Sequence, residues 1–269
     1  MNSNIEKKGI PSMNNQPYKK PNTSWENSAQ KYHQIVGEEG HYYHKAVVIP
    51  KSLDLLKLSK DASVLDLGCG QGVFSRVIPK GAYYYGVDIS KSLINTAKQL
   101  KASTDMQFNV QDITKEFTLP KTDFSHCLII LALQNVEEIN VVMANAARHL
   151  ESGGKFLIVL NHPAYRIPRQ SSWGIDEQSK LQYRKVNKYM SPMKIPIDMA
   201  PGAKDRKTLT WSFHFPLSTY SDCLAKSGFY MERIEEWVSD KQSAGKHAKM
   251  ENRARDEFPM FMAILAAKR

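Results

Sequence analysis

The chain has 269 residues, 42% hydrophobic and 24% charged, a globular composition that suits one large domain or one domain with an insertion. It excludes wholesale disorder, collagen-like and coiled-coil architectures. The net charge of +10 suits a nucleic acid, an anionic lipid or an anionic small molecule as partner, or simply a soluble surface. The longest apolar run, residues 260–267, is too short to span a membrane. The polar N-terminus lacks the apolar core of a secretory signal, and Cys69, Cys127 and Cys223 have no CxxC spacing; a reducing cytoplasm is expected, with no disulfide framework.

Residues 1–21, rich in Asn, Lys and Pro, read as a disordered tail. Next come Trp25, Ala29 and Tyr32, the cluster GHYYHK at 40–45, and Leu53, Leu55 and Leu56, with Pro50 suited to the first turn of a helix. At 63–67, SVLDL is a short buried strand that runs into Gly68-Cys69-Gly70-Gln71-Gly72. The pattern then predicts a helix with Val73, Phe74, Val77 and Ile78 on one face. Residues 83–87 form a second strand ending at Asp88, and Ser90 caps a helix striped by Leu93, Ile94, Ala97 and Leu100. Residues 106–110 form a third strand. Residues 124–131 form a fourth, mostly apolar and so central. A helix over 137–150 and the turn Gly153-Gly154 lead to a fifth strand at 155–160.

Residues 162–211 break this rhythm with five prolines, Trp173, Trp211 and several methionines. A helix at 218–227 and strands at 230–238 and 260–267 follow; residues 241–257 are a charged loop or helix. The alternation predicts an α/β fold: a doubly wound, mostly parallel seven-stranded sheet with helices on both faces, an N-terminal helical segment and a cap insertion.

A strand ending in a glycine turn that opens a helix is a nucleotide-binding arrangement, and an acidic residue ending the next strand can hold a ribose diol. Here the spacing is Gly68-x-Gly70-x-Gly72 rather than GxGxxG, and Asp66 precedes it. An acid at that point would repel a pyrophosphate and suit a cationic amino group. That points away from NAD and towards S-adenosylmethionine.

VLDLGCGQG followed by YYYGVDIS resembles the class I, seven-stranded S-adenosylmethionine-dependent methyltransferase family, closely over about 25–161 and in outline over 212–269. The resemblance implies that S-adenosylmethionine is the cofactor and that the domain comprises 22–161 and 212–269, with 162–211 as a substrate cap. It implies that Gly68, Cys69, Gly70 and Gly72 form the cofactor loop and that Asp66 faces the methionine amino group. Asp88 would take the ribose hydroxyls and Ile89 flank the adenine. Gln111, Asp112 and Ile113 form the turn after strand three, with Asp112 accepting from the adenine amino group. Leu131 and Gln134 would border the sulfonium.

The segment after strand four has no [DN]PPY motif, so methylation of a nucleic-acid amino group loses support. Base candidates are His162, directly after strand five, and His214, in the FHFPL segment before the late helix. Tyr32 and Tyr43 come from the N-terminal segment, which in this family commonly folds over the cofactor. His44 reads as packing, and His126 and His149 as structural. Residues 162–211 carry +6 interleaved with Tyr165, Trp173, Tyr183 and Met190, the makings of an adaptable apolar pocket. The favoured activity is methyl transfer to an oxygen or nitrogen of a small molecule, anionic or lipid-like. Methylation of RNA or protein ranks second, and a non-catalytic cofactor-binding or interaction protein third. No metal is expected; the oligomeric state is not legible.

Overall fold

Period-two alternation along the first strand sets the layers. In β1 (Ser63–Leu67), Leu65 and Leu67 are buried on one face of the sheet, Val64 and Asp66 on the other. The computed structural model, which describes residues 26, 29, 36, 37, 39–198 and 209–269, extends this alternation across seven strands. After β1 come β2 (Tyr83–Asp88), β3 (Met106–Val110), β4 (Phe124–Ile130) and β5 (Leu150–Asn161). The cap segment adds β6 (Ser171–Asp176), β7 (Leu181–Val186), β8 (Met193–Asp198) and β9 (Leu209–His214); β10 (Phe229–Trp237) and β11 (Phe261–Lys268) follow. The main sheet has the order β10-β11-β5-β4-β1-β2-β3. Its strands β3, β2, β1, β4 and β5 pair in parallel, and β11 runs antiparallel to both its neighbours.

Each face has its own core. On one, Leu65, Tyr85, Ile129 and Ile158 pack against α3 (Ile139–His149) and α4 (Leu217–Lys226). On the other, Val64, Tyr84, Leu128, Leu157 and Val159 pack against α1 (Ile49–Leu56) and α2 (Lys91–Gln99). Each fully buried Leu or Ile contributes about 1.5–3 kcal/mol. Pro50 sits in the first turn of α1, and the Ser90 hydroxyl accepts from Leu93 N at 3.2 Å to cap α2. A π-helical turn, His44–Val48, runs directly into α1. The charged stretch before the last strand contains α5 (Ala248–Glu257). No helix among the described residues is long and apolar enough to cross a membrane.

Two elements differ from expectation. The helix predicted after the glycine loop is only a 3-10 turn, Phe74–Val77. Pro79 disfavours helical backbone at the residue before it, and Ile78 is extended, so the turn cannot propagate. The cap, to which the sequence pattern assigns no elements, contains two antiparallel pairs, β6-β7 and β8-β9. β9 continues past 211 to His214 and delivers the chain to α4.

Candidate functional site

The carboxyl ends of β1 and β2 build one half of a cleft. The Gly68 and Cys69 amides both donate to Val87 O, at 2.8 and 3.0 Å, pinning the glycine loop to β2. Gly68, Gly70 and Gly72 all have positive φ, and a Cβ on Gly68 would stand 2.8 Å from the Ala132 Cβ. The Asp88 carboxylate accepts from Gly70 N at 2.9 Å and Ser90 N at 2.8 Å, holding the loop to the start of α2. The backbone at Ile89 hydrogen-bonds the carboxylate as well, and the carboxylate's remaining acceptor capacity is open to a ligand hydroxyl.

Asp66 is 3% exposed. Burial pushes its carboxyl up from the ordinary 3.8 to about 7, against the opposing hydrogen bond donated by the Tyr84 hydroxyl. His44 lines the same pocket as Asp66, Gly68, Cys69 and Gly70. Its Nδ1 is buried without a hydrogen-bond partner among the described residues, and burial lowers the ring to about 4, so it is neutral near pH 7. A carboxylate and a neutral ring nitrogen in one pocket suit a ligand that donates, as an ammonium does. The residues present therefore fit the methionine end of the cofactor that the resemblance implies. Gln71 Nε2 donates to Gly37 O at 2.5 Å, tying the N-terminal segment to the loop.

The other half of the cleft comes from the ends of β4 and β5 and from the cap. Leu131 leaves β4 with φ of 53°, unusual for a branched side chain. Its carbonyl accepts from Gln134 Nε2 at 2.9 Å, which orients the amide and leaves the buried Gln134 Oε1 without a partner. A cavity of about 420 Å³ runs from Gly68, Gly70 and Asp88 past Gln134 and Asn161 to Arg166 and Ser212; His41, Tyr43 and His44 also line it. Both predicted histidines lie in an adjoining recess with Gln134 and Arg166.

Their bonding separates them. His162 Nδ1 accepts from the amides of Ala164 and Tyr165, at 3.1 and 3.3 Å, so Nε2 carries the proton and donates to Glu236 Oε1 at 2.6 Å. Both nitrogens of His162 are engaged in this structure, and the ring ties β5 to β10. His214 Nε2 donates to Tyr189 O at 2.7 Å, and its Nδ1 makes no hydrogen bond among the described residues. Burial lowers its pKa, keeping the ring neutral. Tyr43 lines the cavity, its hydroxyl 3.0 Å from Ser239 Oγ. Tyr32 lies outside the described residues.

Of the other predicted residues, Ile89 is 44% exposed beside Asp88. Gln111 N donates to Asp88 O at 2.9 Å, and Ile113 is buried beneath the loop. Asp112 Oδ1 caps its own turn through Thr114 N and Oγ1, and Oδ2 pairs with Lys115 at 3.1 Å. The Cys69 thiol packs over Gly86, and burial pushes its pKa up, which keeps it protonated. Among the described residues no cluster of three His, Cys, Asp or Glu side chains could hold a metal ion.

Sequence reading assigned no role to Tyr84 and Arg166 and took His44 for packing. The register of β1 and β2 sets Tyr84 opposite Val64, on the face that Asp66 shares, and this cross-strand relation is invisible in a linear pattern. The density of aromatic and histidine residues at 40–45 was the available signal for His44.

Residues 65–158 match the family described as "Methyltransferase domain". The demethylmenaquinone methyltransferase of Tropheryma whipplei (strain Twist) is 28% identical over 112 residues, 40% of this chain and 46% of the relative. The ubiquinone biosynthesis O-methyltransferase of Coxiella burnetii (strain Dugway 5J108-111) is 32% identical over 102 residues, 36% of this chain and 42% of the relative. The chain thus spans a little under half the length of the curated relatives it matches. Among solved structures, an S-adenosylmethionine-dependent methyltransferase from Mesorhizobium loti superposes with a TM-score of 0.65 at 25% identity, covering 83% of this chain and 99% of its own.

Proposed function

Because the chain belongs to the class I S-adenosylmethionine-dependent methyltransferase family, we propose that it methylates an oxygen or nitrogen of a small molecule. The observation that carries this reading is the single cavity of about 420 Å³ joining the glycine loop and Asp88 to Gln134, Arg166 and Ser212. Cavities of that order take small molecules rather than a folded surface. The two curated relatives carry small-molecule names, one of them an O-methyltransferase, which supports the same class of acceptor.

S-adenosylmethionine supplies an electrophilic methyl on a sulfonium, whose sulfur keeps the bonding pair when the acceptor's lone pair takes the methyl. Asp66 and His44 would hold its ammonium and Asp88 its ribose diol. Ile89 and the turn of Gln111, Asp112 and Ile113 would border the adenine, and Leu131 the sulfonium. Segment 162–211 would close the acceptor side of a domain made of 22–161 and 212–269, with Pro168 and Ile197 excluding water. Alignment of the acceptor supplies most of the rate. The acceptor's proton would pass to His214 Nδ1. The three free thiols suit a reducing cytoplasm.

Incubation with methyl-labelled S-adenosylmethionine and separated small-molecule, RNA and protein fractions of a cell extract tests the reading. Label should enter the small-molecule fraction. Label confined to RNA or protein would overturn it.

A further inference from the structure

Arg166 lies in the turn after β5, where Arg166 N donates to His162 O at 2.8 Å. Arg166 lines both the main cavity and the adjoining recess. Among the described residues it makes no ion pair and no side-chain hydrogen bond, and no carboxylate faces it from the acceptor half. The carboxylate lining the cavity is Asp88, which is bonded to the glycine loop and α2. The nearby Arg184 adds positive charge to the region and is itself engaged: it donates to Tyr165 O at 2.7 Å and Ser171 Oγ at 2.9 Å, and lies 5.0 Å from the Trp173 ring centroid. Arg166 is an exposed residue at the wall of that cavity, a cation without a counter-charge among the described residues, and an anionic ligand entering the cavity would supply one.

A second, independent vacancy faces the same cavity. Gln134 Oε1 is buried and has no donor among the described residues, and the bond from Nε2 to Leu131 O holds the amide in that orientation. Leu131 adopts a left-handed conformation, φ 53°, in presenting that carbonyl. Backbone strain of this kind persists where the surroundings enforce it, often at functional sites.

We propose, resting on the reading that the acceptor is a small molecule, that Arg166 and Gln134 form a two-point subsite for an acceptor bearing an oxyanion beside a hydroxyl or amine. Arg166 grips the oxyanion through its planar fork, and Gln134 Oε1 accepts from the O–H or N–H of the group to be methylated. A neutral ring with one hydroxyl would satisfy Gln134 and leave Arg166 without its partner. The oxyanion has one other available source, the methionine carboxylate of the cofactor, and the experiment separates the two.

The full-length protein and its Arg166→Gln, Arg166→Lys and Gln134→Met variants are compared in two measurements. The first is calorimetric titration with S-adenosylhomocysteine. The second is methyl transfer from labelled S-adenosylmethionine to a small-molecule extract split at pH 7 into fractions retained and not retained by an anion exchanger, with dilution of the active fraction reading an apparent KM. Acceptor activity is expected in the retained fraction. Arg166→Gln should raise the apparent KM by about 10- to 100-fold, the usual weight of a charge-assisted hydrogen bond. Arg166→Lys should recover part of the loss. Gln134→Met should raise KM with an unchanged melting temperature. S-adenosylhomocysteine affinity should stay within about twofold in both Arg166 variants, since the guanidinium would not touch the cofactor carboxylate. Activity found only in the unretained fraction would overturn the subsite while leaving small-molecule methyl transfer intact. A loss of S-adenosylhomocysteine affinity of about tenfold or more in Arg166→Gln would assign the guanidinium to the cofactor and overturn it too. Absence of label from every small-molecule fraction, with cofactor still bound, would sink the proposed function itself and the subsite with it.

Discussion

In the half of the cleft built by β1 and β2, backbone and side chains largely satisfy one another: Val87 O takes two loop amides, Asp88 takes two more, and Tyr84 holds Asp66. In the half built by β4, β5 and the cap, Gln134 Oε1 has no donor and Arg166 no counter-charge among the described residues. The halves also differ in sign. Asp66 and Asp88 line the first, Arg166 the second. A cofactor carrying a sulfonium and an ammonium suits the former, an electron-rich acceptor the latter. A tightly bonded loop, with His44 Nδ1 left open beside it for the cofactor, is a rigid receptor for a fixed ligand, whereas the open valences across the cleft mark where the variable ligand docks.

The comparison breaks most severely at the loop. Gly68→Val forces a branched residue to φ of 74° and sets its Cβ 2.8 Å from the Ala132 Cβ. A loss of about 2–4 kcal/mol of stability is expected from left-handed backbone and overpacking together, with cofactor binding lost even where the protein remains folded. Urea unfolding and calorimetry read both effects; a variant that folds and binds as the wild type does would refute the loop's role.

The next effect falls on His162. If the residue is a tie between β5 and β10, His162→Ala leaves two backbone amides and Glu236 without their partner. It should cost about 1–3 kcal/mol of stability while altering the pH profile of turnover little. Burial lowers the His162 pKa, so the folded state favours the neutral ring, and its contribution is lost as pH falls through the ordinary range near 6.5 towards the lower folded value. Removal of an acidic limb from the rate profile, with stability unchanged, would restore the residue as a base.

Asp66 gives the mildest and most diagnostic effect. Its carboxyl titrates near 7 in the ligand-free protein, chiefly through burial, and an ammonium binds its ionised form. Cofactor affinity should therefore rise with pH, by at most about tenfold per unit below 7, and level off above. Folding stability without ligand should run the opposite way, falling between about 4 and 7, because the folded state holds a proton that the unfolded chain has released. Asp66→Asn should flatten both curves. An affinity independent of pH from 6 to 8 in the wild type would remove Asp66 from ammonium recognition.

The two halves were unequally legible in the sequence. Strand, glycine turn, strand and terminal acid are local, so β1, the loop, β2 and Asp88 follow from pattern alone. The 3-10 turn at Phe74–Val77 was misread as a helix because four apolar residues in the right spacing outweighed Pro79. The cap's hairpin was invisible for a different reason. Trp173, Ile175, Leu181 and Tyr183 are all at least 38% exposed, so β6 and β7 lack the alternation that burial imposes. Arg166 was one of many basic residues in that segment. What distinguishes it is the absence of a partner, which only tertiary structure reveals. The pairing of Tyr84 with Asp66 depends on register, and the bonding of His162 on a glutamate 74 residues away.

The most direct test of the cleft's division is calorimetric titration of S-adenosylmethionine into the wild-type protein and Asp88→Ala. The account predicts one site in the wild type, weakened in the variant by about 1.5–3 kcal/mol as the ribose hydroxyls lose a charged acceptor. No binding to the wild type, or equal affinity in both proteins, would contradict it.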